Sequence, residues 1–132
     1  MDQRRKDLMD RYTFYSTEEG LQATLMAFGF ECGDGWIPLI EEMSEKIQDT
    51  LESRCPEHLD KFRILQVKEK FGTLRVYTNL YLDAIEDIID EYVKLSSVTC
   101  EVCGNRGSLH LIRGWFSTLC DKHKKDMEDN AS

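Results

Sequence analysis

The residue pattern predicts an α+β fold: a helical N-terminal body, a β-hairpin, a long acidic helix and a small C-terminal module. Three observations carry that expectation. Apolar residues recur at helical spacing through much of residues 1–61 and again over 80–96. Between them, over residues 62–79, the period drops to two. Last, residues 100–123 read CEVCGNRGSLHLIRGWFSTLCDKH, which contains a Cys-x2-Cys pair and a Cys-x2-His pair.

Residues 2–15 are charged, with Leu8, Met9, Tyr12 and Tyr15 at helical spacing, and predict a helix or helical arm. Ser16-x-x-Glu19 has the form of a capping box, and Leu21, Leu25, Met26 and Phe28 would face inward from a second helix ending near Gly29. The two glycines of FECGDGW (30–36) predict a turn. A third helix follows, with Asp34 as N-cap, Pro38 in the first turn, and Trp36, Ile40, Met43, Ile47 and Leu51 on one face. Arg54-Cys55-Pro56 ends it.

In FRILQVKEKFGTLRVYTN (62–79), Leu65 and Val67, then Leu74 and Val76, alternate with polar residues, and Gly72 marks the bend of a hairpin. From Leu80 to Ser96 the helical period returns. Leu82, Ile85, Ile88, Ile89, Tyr92, Val93 and Leu95 should face inward, and Asp83, Glu86, Asp87, Asp90 and Glu91 outward. This helix runs almost directly into the first cysteine pair. Residues 98–132 are therefore expected to dock on a body formed by residues 1–97 rather than to hang from a linker.

The two ligand pairs have the spacing of one tetrahedral zinc site: Cys100, Cys103, Cys120 and His123. Gly104 suits the positive-φ position that closes a knuckle after Cys103. The gap between the pairs holds a short hairpin, Leu109–Ile112 and Trp115–Leu119, with Arg113-Gly114 at its bend. Beyond Leu119 the residues favour a helix, whose N-terminal partial charge would help Cys120 ionise. Knuckle, hairpin and ligand-bearing helix make a treble clef. Three thiolates and an imidazole fill every position, so the single Zn2+ is expected to be structural and the protein non-enzymatic.

No apolar run approaches membrane-spanning length, and MDQRRKDLMD opens the chain without an apolar stretch behind it. Together with the odd count of five cysteines, this predicts a cytoplasmic protein with no membrane partner, in which Cys32 and Cys55 are buried or free thiols, a Cys32–Cys55 bridge being the alternative that reducing conditions disfavour. The net charge of −8 is uneven: −7 over residues 1–61, +3 over 62–79, −4 over 80–99 and 0 over 100–132. Such a chain is not drawn to nucleic acid by its overall field, but suits a basic protein surface.

Other polar features were weighed for function. Lys68, Lys70 and Arg75 with Phe71 and Tyr77 could contact phosphates and stack bases, and Arg113, Lys122, Lys124 and Lys125 add a second basic patch. Asp34 as a cap and Trp36 as core account for the GDGW turn. The alternative joins Glu31, Asp34 and Trp36 with Lys68, Lys70 and Arg75 in one binding surface. A His-Asn-His-type nuclease would place its base at His110, but the helix after Cys120 offers Lys124, Lys125 and Asp126 where a histidine or asparagine would be needed to hold a catalytic metal.

Three segments resemble a family of small uncharacterised proteins of bacteriophage genomes and prophages: GFECGDGW (29–36), QVKEKFGTLRVY (66–77), and SSVTCEVCG (96–104) with GWFSTLCDKH (114–123). The resemblance implies a phage-borne protein of the bacterial cytoplasm with metal positions Cys100, Cys103, Cys120 and His123, and implies nothing about catalysis. The expected function is a zinc-stabilised binding module whose partner is a host or viral protein. Acidic helices at 41–52 and 83–91 would present carboxylates to it. A nucleic-acid-binding accessory factor is the alternative.

Overall fold

A computed structural model describes residues 2–17 and 24–130. Helix α1 (Asp2–Arg11) buries Leu8. A single 3-10 turn, Thr13–Tyr15, then drives Phe14 and Tyr15 into the core, where the Tyr15 hydroxyl meets Ser44 Oγ at 2.6 Å. The second predicted helix is not found over its described part. Residues Leu25–Phe28 form one 3-10 turn, with the Thr24 hydroxyl accepting the Met26 N–H at one end and Gly29 at φ +73° closing the other. Cap and stop stand too close together for an α-helix, and Phe28 points outward, 73% exposed. Glu19 of the capping box, and Leu21, lie outside the described residues.

The FECGDGW segment is not turn alone. Its first two residues form strand β1 (Phe30–Glu31), which pairs in parallel with Val67 and Lys68 of β2 (Ile64–Lys70). Helix α2 (Ile37–Arg54) lies between them in sequence and buries Ile37, Ile40, Met43, Ser44, Ile47 and Leu51 along one stripe. Strand β3 (Thr73–Thr78) pairs antiparallel with β2, giving the order β1-β2-β3. The β2–β3 turn, Phe71-Gly72, has both residues at positive φ (55° and 85°), the geometry that matches strand twist in a two-residue hairpin. Direct partners share a face, so Phe30, Val67 and Leu74 line the core while Glu31, Gln66, Lys68, Arg75 and Tyr77 lie on the outer face.

Helix α3 (Asp83–Ser96) packs on both α2 and β3. Its buried stripe is Ile85, Ile89, Tyr92 and Ser96. Leu95, expected inward, sits about 100° off that stripe and is 38% exposed. Ser96 takes the inward place and works there: its Oγ accepts the Leu74 N–H at 3.0 Å and donates to Val93 C=O at 2.6 Å. The helix end thereby covers part of β3's open edge. Beyond it come β4 (Ser108–Ile112), β5 (Trp115–Leu119) and α4 (Asp121–Asp129), with β4 and β5 forming their own two-stranded sheet. The fold is α+β, with four α-helices and two small sheets among the described residues.

Candidate metal centre

Local backbone bonds build the knuckle. Cys100 N–H donates to Asn105 C=O (2.7 Å), Gly104 N–H returns to Cys100 C=O (2.9 Å), and Gly104 holds φ +84° to let the chain reverse. The second pair is set by α4: Cys120 is its N-cap, with its carbonyl accepting Lys124 N–H at 2.9 Å, and His123 follows one turn on. The β4–β5 hairpin brings the pairs together. All four ligand atoms lie within 4.8 Å of one another.

The separations suit a single ion. Cys103 Sγ and Cys120 Sγ are 3.8 Å apart, and His123 Nδ1 lies 3.6 Å from Cys100 Sγ and 3.2 Å from Cys120 Sγ. Zinc–sulfur and zinc–nitrogen bonds of about 2.3 and 2.0 Å at tetrahedral angles give edges of roughly 3.8 Å (S···S) and 3.5 Å (S···N). A disulfide would require about 2.05 Å between sulfurs, and all the cysteines are free. Burial pushes the Cys100 thiol up, but backbone N–H groups of Cys120, Cys103 and Val102 aimed at Sγ outweigh it and bring it down to about 6. The four residues can therefore hold a metal ion, with no ligand position left for solvent in a tetrahedral complex.

The GDGW turn is the seat of this centre. Gly35 N–H donates to Glu101 C=O at 2.7 Å, Gly33 N–H to Glu101 Oε2 at 2.8 Å, and the Trp36 indole N–H to Thr99 C=O at 2.9 Å. A Cβ on Gly33 would strike Glu101 C=O, and one on Gly35 would strike Cys100 C=O. From the other side, Arg5 of α1 grips the same turn. Its guanidinium donates to Phe30 C=O (2.7 Å), Cys32 C=O (2.8 Å) and Asp34 Oδ1 (2.7 and 3.1 Å). A second contact lies at the body hairpin, where Thr118 Oγ1 donates to Gly72 C=O at 2.6 Å.

These contacts correct the expectation that Asp34 caps α2, and they put Trp36 in the core rather than in the alternative binding surface. Asp34 does not cap α2, whose N-cap is Trp36 with no side-chain cap bond; its carboxylate is taken by Arg5. Trp36 is wholly buried and closed to any ligand, so it belongs to no surface. Trp36→Phe should leave the Thr99 carbonyl without a partner and cost about 1–3 kcal/mol, read as a lower urea midpoint at unchanged metal content.

Lys68, Lys70 and Arg75 do lie together on the outer face of the sheet, Lys68 directly opposite Arg75. Glu31 there accepts Gln66 Nε2 at 3.1 Å rather than pairing with a cation. The Lys68 ammonium lies 6.0 Å from the Tyr77 ring and that of Lys70 5.5 Å from Phe71. Cys32 is held unreactive by burial, which pushes its thiol to about 12. His110 lies in β4 opposite Ser117, its Nε2 3.2 Å from Ser108 Oγ, outside the one metal-holding group found among the described residues. Arg5, Thr99 and Glu101 were not singled out from the sequence. Only the paired glycines of GDGW signal that another backbone comes close there.

No described helix is long and apolar enough to cross a membrane. No family model matches the chain, and neither curated proteins nor solved structures gave a match.

Proposed function

We propose that this is a non-enzymatic binding module in which one structural Zn2+ fixes a rigid protein-docking surface, and that it serves as a phage-type accessory protein acting on a host or viral protein complex in the bacterial cytoplasm. Thiolate-rich ligation by three cysteines and a histidine favours zinc over harder cations.

The observation that carries the reading is the apolar surface where the two hairpins meet. Gly72 abuts the Leu109 side chain and the backbone of Phe116 and Ser117. Around that junction Phe71 is 62% exposed and Leu111 61%, with Leu109 and Phe116 also exposed, while Trp115, 77% exposed, stands on the opposite face of the β4–β5 hairpin. Phe71 occupies the left-handed region at φ 55°, where a bulky residue is disfavoured and Asn or Gly would be cheaper. Exposed aromatics grouped on rigid β-turns mark protein contacts.

One observation favours a second reading, a nucleic-acid-binding accessory factor. Lys68 and Arg75 face each other with no ion-pair partner among the described residues, and Arg75 Nε is buried without an acceptor. Like charges directly opposite are destabilising unless an anion sits between them. Affinity capture from bacterial lysate separates the two. A specific protein retained after nuclease treatment, and lost with Phe71→Ser/Leu111→Ser, supports the leading reading. Material removed by nuclease or by Lys68→Ala/Lys70→Ala/Arg75→Ala replaces it with the second.

A further inference from the structure

Beside that junction lies a cleft of about 350 Å³, between the end of β2, the knuckle, the tip of the β4–β5 hairpin and α4. Its lining combines two carboxylates, Glu69 and Glu101, with Trp115, Phe116, Ile112 and Met127. We propose that this cleft receives an arginine side chain of the partner protein, its guanidinium held between the two carboxylates and the Trp115 ring. The inference rests on the protein-docking function and names the chemistry of the partner.

The carboxylates are fixed in place before any ligand arrives. Glu69 Oε2 accepts the Gly72 N–H at 2.7 Å and Glu101 Oε2 the Gly33 N–H at 2.8 Å. Each has its second oxygen unbonded, and neither forms an ion pair, among the described residues. Two anchored negative charges beside apolar walls are costly to leave half-desolvated and unneutralised. A cation with a hydrocarbon stem completes the site: carboxylates for the charge, Trp115 for the π face, and Ile112, on the same face as Trp115, with Met127 for the methylenes. Arginine fits better than lysine because a planar guanidinium can hydrogen-bond at its edge while stacking on a ring. Arg113, on the turn of the same hairpin, is the cleft's one cation and pairs with neither carboxylate within 4.0 Å. A net charge of −8 steers a basic segment toward the protein as a whole.

The test is an amide and indole NMR titration of the zinc-loaded full chain with N-acetyl-arginine amide, using N-acetyl-citrulline amide as the uncharged control of the same shape. The Trp115 indole signal should shift saturably with the arginine probe, at least tenfold tighter than with citrulline, while the buried Trp36 signal stays still. Glu69→Gln/Glu101→Gln, which keeps both acceptor oxygens for the glycine amides, should weaken that binding at least tenfold at unchanged zinc content and unchanged Trp36 shift. Equal response to citrulline, a silent Trp115, or wild-type binding by the double variant overturns the proposal. Lost protein capture with intact arginine binding overturns the docking function alone; intact capture with no arginine response overturns the cleft alone.

Discussion

Chelating the metal, or replacing Cys103 by Ser, is expected to unfold residues 98–130 while the body keeps its structure. The tail has almost no core of its own: its buried apolar cluster consists of Cys100, Ile112 and Leu119, with Cys120 packed beside them. A structural zinc contributes roughly 10–16 kcal/mol of apparent binding energy, comparable with the whole stability of an ordinary domain. Nothing in the tail replaces that. The body has a continuous core running from Leu8 through Trp36, Ile47 and Val67 to Tyr92, and should survive. Cys103 is the informative position because it is exposed, so Ser removes a ligand without opening a cavity. Two-dimensional amide spectra check the result: signals of 98–130 should collapse into the unfolded range, and Gly33 and Gly35, which lose Glu101 as acceptor, should move with them. A dispersed tail spectrum after chelation, or no zinc in native mass spectrometry, contradicts the structural role.

Gly35→Ala should be the most damaging single methyl that can be added to the body. Its Cβ would lie 2.6 Å from Gly104 N and 2.7 Å from the Glu101 carbonyl carbon, besides striking Cys100 C=O. All of these are backbone atoms of the knuckle, so no rotamer change relieves the overlap. Either the knuckle lifts off the turn, losing the Gly35–Glu101 bond, or its ligand geometry distorts. The expected cost is about 3 kcal/mol or more, at the upper end of overpacking effects. Zinc affinity should fall with it, by competition with a chromophoric chelator. Gly114→Ala is the control: its Cβ would meet nothing within 4 Å, and only φ +84° penalises it. That change should cost about 1–2 kcal/mol and leave zinc affinity near wild type. Equal effects at the two glycines would refute the close-contact argument.

Which features were legible in the chain follows from how local their causes are. The ligand quartet shows because each pair is fixed by a tight turn and the residue types have little other use at that spacing. Helices α2 and α3 and both hairpins show because long periodic stretches and Gly-containing bends carry their own signal. Strand β1 does not show, since two residues have no period and its only reason to be a strand is Val67-Lys68, far along the chain. The Leu25–Phe28 stretch misleads because apolar spacing over four residues cannot separate one 3-10 turn from the end of a helix. Asp34 misleads for a related reason: its type and place suit a cap, while the arginine that claims it comes from α1. The cleft is wholly non-local, gathering Glu69, Glu101 and Met127 from three separate elements.

The union of GDGW with the knuckle rests on close backbone packing at Gly33 and Gly35 and one peptide-to-peptide hydrogen bond, together with one indole and one carboxylate. Side-chain replacement at outward positions such as Val102, Asn105 or Arg106 therefore has little leverage on it. Chain length has a great deal: one residue inserted or deleted between Thr99 and Gly104 would shift donors past their acceptors. Sequences sharing this architecture should vary at the outward positions Val102, Asn105 and Arg106, keep Cys100, Glu101, Cys103 and Gly104, and hardly vary in the number of residues between Thr99 and Gly104.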